Sequence, residues 1–237
     1  MNALVDAILA ETDAARNPYF VALRDGSFEK ADFVETQIQF FFAVVFFGRP
    51  MAVVAAKIPG GRERLDILRN VWEEHGEGNV HGFHERTFLT FLERLDGVDE
   101  GAVHARALWP EVRAFNTVLT GAAVMDNFVV GVSAMGMIER MFADISSWVA
   151  EGTVARGWLP ADRVVHYDFH AHLDVRHSSD FFNVVRSRYD LGGEYAYQVE
   201  QGLRLGAYCF SSLYEGLWRA RKRRTVRGPV RSMPSLD

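Results

Sequence analysis

The chain has 237 residues, of which 49% are hydrophobic and 24% charged, a balance that can bury a full core. Its net charge of −5 is uneven: residues 219–237 carry seven Lys/Arg and one Asp, a net +6, so the rest carries −11. An acidic body argues against a nucleic-acid binder, the single Cys209 excludes an internal disulfide, and the apolar runs fall short of the ~20 residues that cross a bilayer.

The opening "MNALVDAILAETD" lacks a basic leader segment and sets Asp6 inside its apolar stretch, so the expectation is a cytoplasmic protein without a signal peptide. Residues 3–16 read as an amphipathic helix closed by "NPYF". Ser27 and Glu29 look like a helix start, and apolar residues then run at helical spacing from Phe33 to Phe47. "GRP" (48–50) should kink or end that helix, because proline lacks the donor and clashes with the preceding turn. A further helix reaches Ile58, where "PGG" stops it.

Helices over 62–75 and 81–95 follow, ended by "GEG" and "DG", with another junction at Trp109-Pro110. Residues 122–150 read as one long buried helix. "LPADR" (159–163) starts the next, Pro160 suiting its first turn, and "LGGE" separates it from a last helix over 195–222. No strand pair or hairpin turn stands out. The expected fold is all-α, with about seven or eight helices in a single domain over 1–218 and a basic, flexible tail over 219–237.

Half of the chain's eight histidines fall in "HYDFHAHLDVRH", residues 166–177. On a helix advancing about 100° per residue, Asp174 lies about +40° and His177 about −20° from His170, so the three share one face. His166 lies near −40° on the same face, while His172 points away. Imidazoles and carboxylates together suit iron, manganese or zinc, and mixed sets with open positions suit non-haem iron. Partners must come from other helices. Glu139, inside the apolar "NFVVGVSAMGMIERMF", is costly there unless paired or metal-bound, although with Arg140 it could simply begin a solvated face. "NVWEEHGEGNVHGFHERTF" (70–88) adds Glu73, Glu74, His75, Glu77, His81 and His84 around a glycine turn. "HERTF" is not HExxH, the chain contains no ExxH pair, and "HLD" (172–174) sits on helix rather than strand.

With these three segments the chain resembles the haem-oxygenase-like di-iron oxidases, or iron-containing redox enzymes, relatives of the TenA and PqqC proteins. Their pattern is a glutamate, a histidine a short way on, a glutamate on the next long helix, then His-x3-Asp-x2-His. The resemblance spans about residues 25–215 and implies a haem-oxygenase-like helical bundle. It places Glu74, His84, Glu139, His170, Asp174 and His177 as ligands of two Fe(II) ions, with O2 as co-substrate. Phe88 and Phe91, downstream of His84, select it over His81; Glu73 and His81 remain substitutes for their neighbours. His75 and His166 take supporting or structural roles.

Relatives oxidise amino acids or fatty acids by N-oxygenation, desaturation, cleavage or cyclisation. The branch that consumes its own tyrosine places one just before the third ligand, where this chain has Ile138. TenA-type thiaminases need a nucleophilic mid-chain cysteine, whereas Cys209 lies on the last helix. The resemblance therefore implies oxidation of a small aliphatic amino-acid-like substrate in a specialised biosynthetic pathway, with room for an external electron donor and a homodimer, and no nucleic-acid or membrane partner. Phe42 is the expected pocket wall, and Arg186 and Arg204 the expected anchors for a substrate carboxylate. The competing readings are a metal-free TenA/PqqC-like binding or hydrolytic protein, and a zinc hydrolase using the same ligands.

Overall fold

The computed structural model describes residues 1–227, and among them the chain folds into ten α-helices and no strand. They are α1 (Asn2–Thr12), α2 (Pro18–Asp25), α3 (Lys30–Lys57), α4 (Gly61–Glu74), α5 (His84–Asp96), α6 (Glu100–His104), α7 (Pro110–Val124), α8 (Phe128–Ala155), α9 (Val165–Asp190) and α10 (Gly193–Ala220). The centre is α8, which packs along α9 on one side and α10 on the other. Around it, α3 lies against α7, α5 and α4, and α4 reaches across to α9.

The sequence accounts for most boundaries. Pro110 opens α7 at the position where a missing N–H costs nothing, and Gly97, in the left-handed region, closes α5. The long helix expected over 122–150 is two helices, because the Asn127 side chain accepts the Val129 N–H and starts α8 anew. "GRP" does not end α3: Pro50 sits inside one continuous 28-residue helix. That helix is long and apolar enough to cross a membrane by composition, but half of its most apolar window is buried in the bundle, and Phe33, Ile38, Phe40 and Phe41 of the helix are core residues. Ser27 caps nothing; its N–H bonds to Asp25, and Glu29 precedes α3 without a side-chain cap.

Two glycines let α10 approach α8 closely. A Cβ at Gly202 would stand 2.4 Å from the Val130 carbonyl oxygen, and one at Gly206 2.4 Å from that of Ala134. The start of the basic tail is docked rather than loose. Arg223 pairs with Glu111 at 2.8 and 3.1 Å and Arg224 with Asp32 at 2.6 Å. The Ala107 N–H donates to Thr225 O and the Arg227 N–H to Ala105 O. The rest of the tail, 228–237, lies outside the described residues.

Candidate metal centre

Six ligand-type side chains from four helices meet beside α8: Glu74 at the end of α4, His84 at the start of α5, Glu139 on α8, and His170, Asp174 and His177 on α9. The turns between α4 and α5 bring the first two together, and an isolated bridge between His75 and Phe83 closes that connection. Glu74 Oε2 lies 2.9 Å from His84 Nδ1. His177 Nδ1 lies 4.0 Å from Glu74, 3.7 Å from Glu139 and 3.8 Å from Asp174. Donor atoms of Glu74, Glu139 and His177 all fall within 4.8 Å of one another, a span that one cation can bridge.

The hydrogen bonding settles which atoms face inward. The Asp174 carboxyl lies 3.0 and 3.1 Å from His170 Nδ1, which braces the ring and leaves His170 Nε2 without a partner among the described residues. Glu73, whose other partner is Arg176 at 2.6 Å, accepts from His177 Nε2 at 2.8 Å, which leaves Nδ1 turned to the cluster. Metal-bound imidazoles characteristically give their other N–H to such a carboxylate. His84 Nδ1, Glu139 Oε1, His170 Nε2 and His177 Nδ1 are all buried without a hydrogen-bond partner among the described residues. For His84 the 2.9 Å approach to Glu74 is close enough but too poorly angled to be a hydrogen bond. Four orphaned donors of the N/O type iron accepts, converging from three helices, fit a metal centre.

Electrostatics point the same way. Burial, then the charge of Asp174, pushes the Glu139 carboxyl up to about 7. Burial likewise raises the Asp174 carboxyl well above its ordinary value. Burial also opposes the charge on Glu74, but His84, His170 and His177 beside it hold its carboxyl down to about 2. Burial disfavours a charged His177 too, yet Glu139, Glu74 and Asp174 around it raise it to about 10. The cluster therefore crowds negative charge that protons neutralise when no cation does so.

A narrow apolar cavity abuts the cluster. Phe40, Phe47, Phe115, Phe142 and Phe210 line it, with Glu74, Glu139 and His170 at its polar end. Phe42, the expected wall, does not line it: it is half-buried beside Phe41 and His104, and its carbonyl accepts from Asn116. Arg186 and Arg204 are not at the site either. Arg186 reaches Asn2 on α1, and Arg204 is exposed and paired with Glu11 and Glu200. Arg49 is nearer the cluster and lines a second crevice with Glu74 and His84. His81 is exposed, His75 Nδ1 is held by the Val71 carbonyl, and His172 faces away. Sequence reasoning missed the bracing role of Glu73; a carboxylate one residue from an expected ligand was the only signal for it.

Residues 34–210 match a family described as iron-containing redox enzyme. Solved structures share the fold. A TenA homologue from P. horikoshii OT3 aligns with a TM-score of 0.68 at 15% identity, over 91% of this chain and 98% of its own. A protein of unknown function with a haem-oxygenase-like fold from Shewanella denitrificans aligns at 0.70 and 16% identity, over 92% of this chain and 88% of its own. A CADD-like protein of unknown function from Nostoc punctiforme aligns at 0.71 and 16%, over 93% and 97%. At these identities the likeness shows the fold alone. No curated protein matches the chain significantly.

Proposed function

The chain belongs to the iron-containing redox enzymes, and from that premise we propose that it is a non-haem di-iron oxidase acting on a small aliphatic amino-acid-like substrate. Glu74, His84, Glu139, His170, Asp174 and His177 would hold two Fe(II) ions. Bound there, the ions would supply the electrons that activate O2 as co-substrate for desaturation, cyclisation, cleavage or N-oxygenation. The observation that carries the reading is the set of four buried, partnerless donor atoms at the polar end of an apolar cavity.

The chain's own residues do the rest. The phenylalanines around the cavity exclude water and grip an aliphatic chain, and the space is narrow: only about 40 Å³ admits the centre of a water. A slender substrate suits it, admitted by side-chain movement. In the neighbouring crevice Arg49 replaces Arg186 and Arg204 as the anchor for a substrate carboxylate, its planar fork matching two oxygens. Glu139 and Asp174 hold protons that leave as cations arrive. A cysteine-dependent hydrolysis is the less favoured alternative, since Cys209 is buried on α10 and burial pushes its thiol up to about 12.

Anaerobic Fe(II) titration followed by O2 uptake with a panel of aliphatic amino acids tests the proposal. Two irons per chain and O2 consumption accelerated by one substrate support it. Absence of iron uptake would return the chain to the metal-free reading of the same fold.

A further inference from the structure

His166 is not among the six residues above, yet its surroundings are those of a ligand. It sits one helical turn before His170 on α9 and is 1% exposed. The Thr87 hydroxyl donates to the His84 carbonyl at 3.0 Å, so toward His166 Nδ1, 2.9 Å away, it acts as acceptor. That fixes the tautomer: Nδ1 carries the proton, and Nε2 keeps a lone pair. This nitrogen is buried with no partner among the described residues, and the side chain lines the cavity beside His170, Glu74 and Glu139.

We propose that His166 is a seventh donor, binding through Nε2 the same divalent cation as His170 Nε2. Histidines at i and i+4 on one helical face form a recurrent metal-binding pair. The ring centres of His166 and His170 stand 4.4 Å apart. Two imidazoles bound side by side to one ion place their centres about 4.5 Å apart, given a metal–nitrogen bond of about 2.1 Å. Both rings are braced alike, by Thr87 on one and Asp174 on the other, and both leave Nε2 free. Thr87 also ties the His84 backbone to the His166 ring, so one hydroxyl sets two donors of the site. A purely structural role for His166 is poorly served by this arrangement. Between Phe88 and Phe142 a phenylalanine would pack without an orphaned acceptor.

The inference rests on the metal-centre reading, and Co(II) as the probe separates the two. Anaerobic Co(II) titration followed by visible absorbance gives stoichiometry and affinity, and proton NMR of the loaded protein reveals the shifted N–H of each coordinated imidazole. In wild type with labelled histidine, one such signal should belong to His166 Nδ1–H. In His166→Phe it should vanish, with the affinity of one ion falling at least about tenfold. Thr87→Val, which keeps the hydroxyl's shape but not its acceptor, should weaken the same ion about tenfold. His172→Gln, on the exposed face of α9, should change nothing. Unaltered Co(II) affinity in folded His166→Phe, or an unshifted His166 resonance in loaded wild type, overturns the seventh donor and leaves the metal centre standing. A wild type that takes up neither Co(II) nor Fe(II) overturns both. The wild-type resonance decides the matter even if His166→Phe fails to fold.

Discussion

Glu73 and Glu74 are adjacent on α4 yet work from different sides of one imidazole: Glu74 faces His177 Nδ1 at 4.0 Å, and Glu73 takes the proton of Nε2 at 2.8 Å. Glu73→Ala should therefore keep the fold and lower metal affinity about tenfold to a hundredfold, read by Fe(II) or Co(II) titration. Arg49→Ala should raise KM for a carboxylate-bearing substrate while leaving metal stoichiometry unchanged. Tyr214 offers a test free of the site. Its hydroxyl is buried without a partner among the described residues, so Tyr214→Phe should leave the thermal midpoint unchanged or raise it. Tyr167→Phe should instead destabilise by about 1–3 kcal/mol, because it strips Gln37 of its donor. The grouping of His170, Asp174 and His177 was legible because helical spacing alone sets them on one face, whereas Glu74, His84 and Glu139 were implied only by the family resemblance. The choice of anchors was not, since an arginine's position on a surface helix says nothing about whether Glu11 and Glu200 already occupy it.

At the scale of elements, α8, α9 and α10 form the rigid half of the site, and small residues permit their approach. Gly206→Ala would press a methyl against the Ala134 carbonyl, a backbone atom that cannot swing aside. The variant should lose about 1–3 kcal/mol, seen in thermal or urea unfolding, with weaker metal binding as a consequence. Helix limits were readable at several glycine and proline positions, as at "PGG" and Trp109-Pro110. They were misread where tertiary packing overrode a local signal: Pro50 is buried and its helix continues, while Asn127 breaks α7 from α8 through a side-chain cap that periodicity does not register.

Across the whole molecule, the buried acids make the fold sensitive to alkali. Burial lifts the Cys209 thiol from 9.0 to about 12 and raises the Tyr19, Tyr167 and Tyr214 phenols. In the unfolded chain these groups lose protons first, so the stability they contribute is intact below about pH 9 and drains away as pH rises toward 12. Urea midpoints should accordingly fall between about pH 8 and about pH 11. Over the same range the native Cys209 should resist alkylating reagents that modify it freely in urea.

The docked stretch 223–227 bears on how the protein is handled. Arg224 grips Asp32 near the start of α3, Arg223 grips Glu111 in the first turn of α7, and Thr225 pairs with Ala107 just ahead of it. These two helices carry Phe40, Phe47 and Phe115 of the cavity wall. The stretch works as a buckle across two staves of a barrel. A protease cut or an early stop after Lys222 would unfasten it, and the wall would loosen far from the cut. Such a shortened protein should bind an apolar fluorescent dye more brightly than the full chain, and should discriminate less sharply among substrates of different girth.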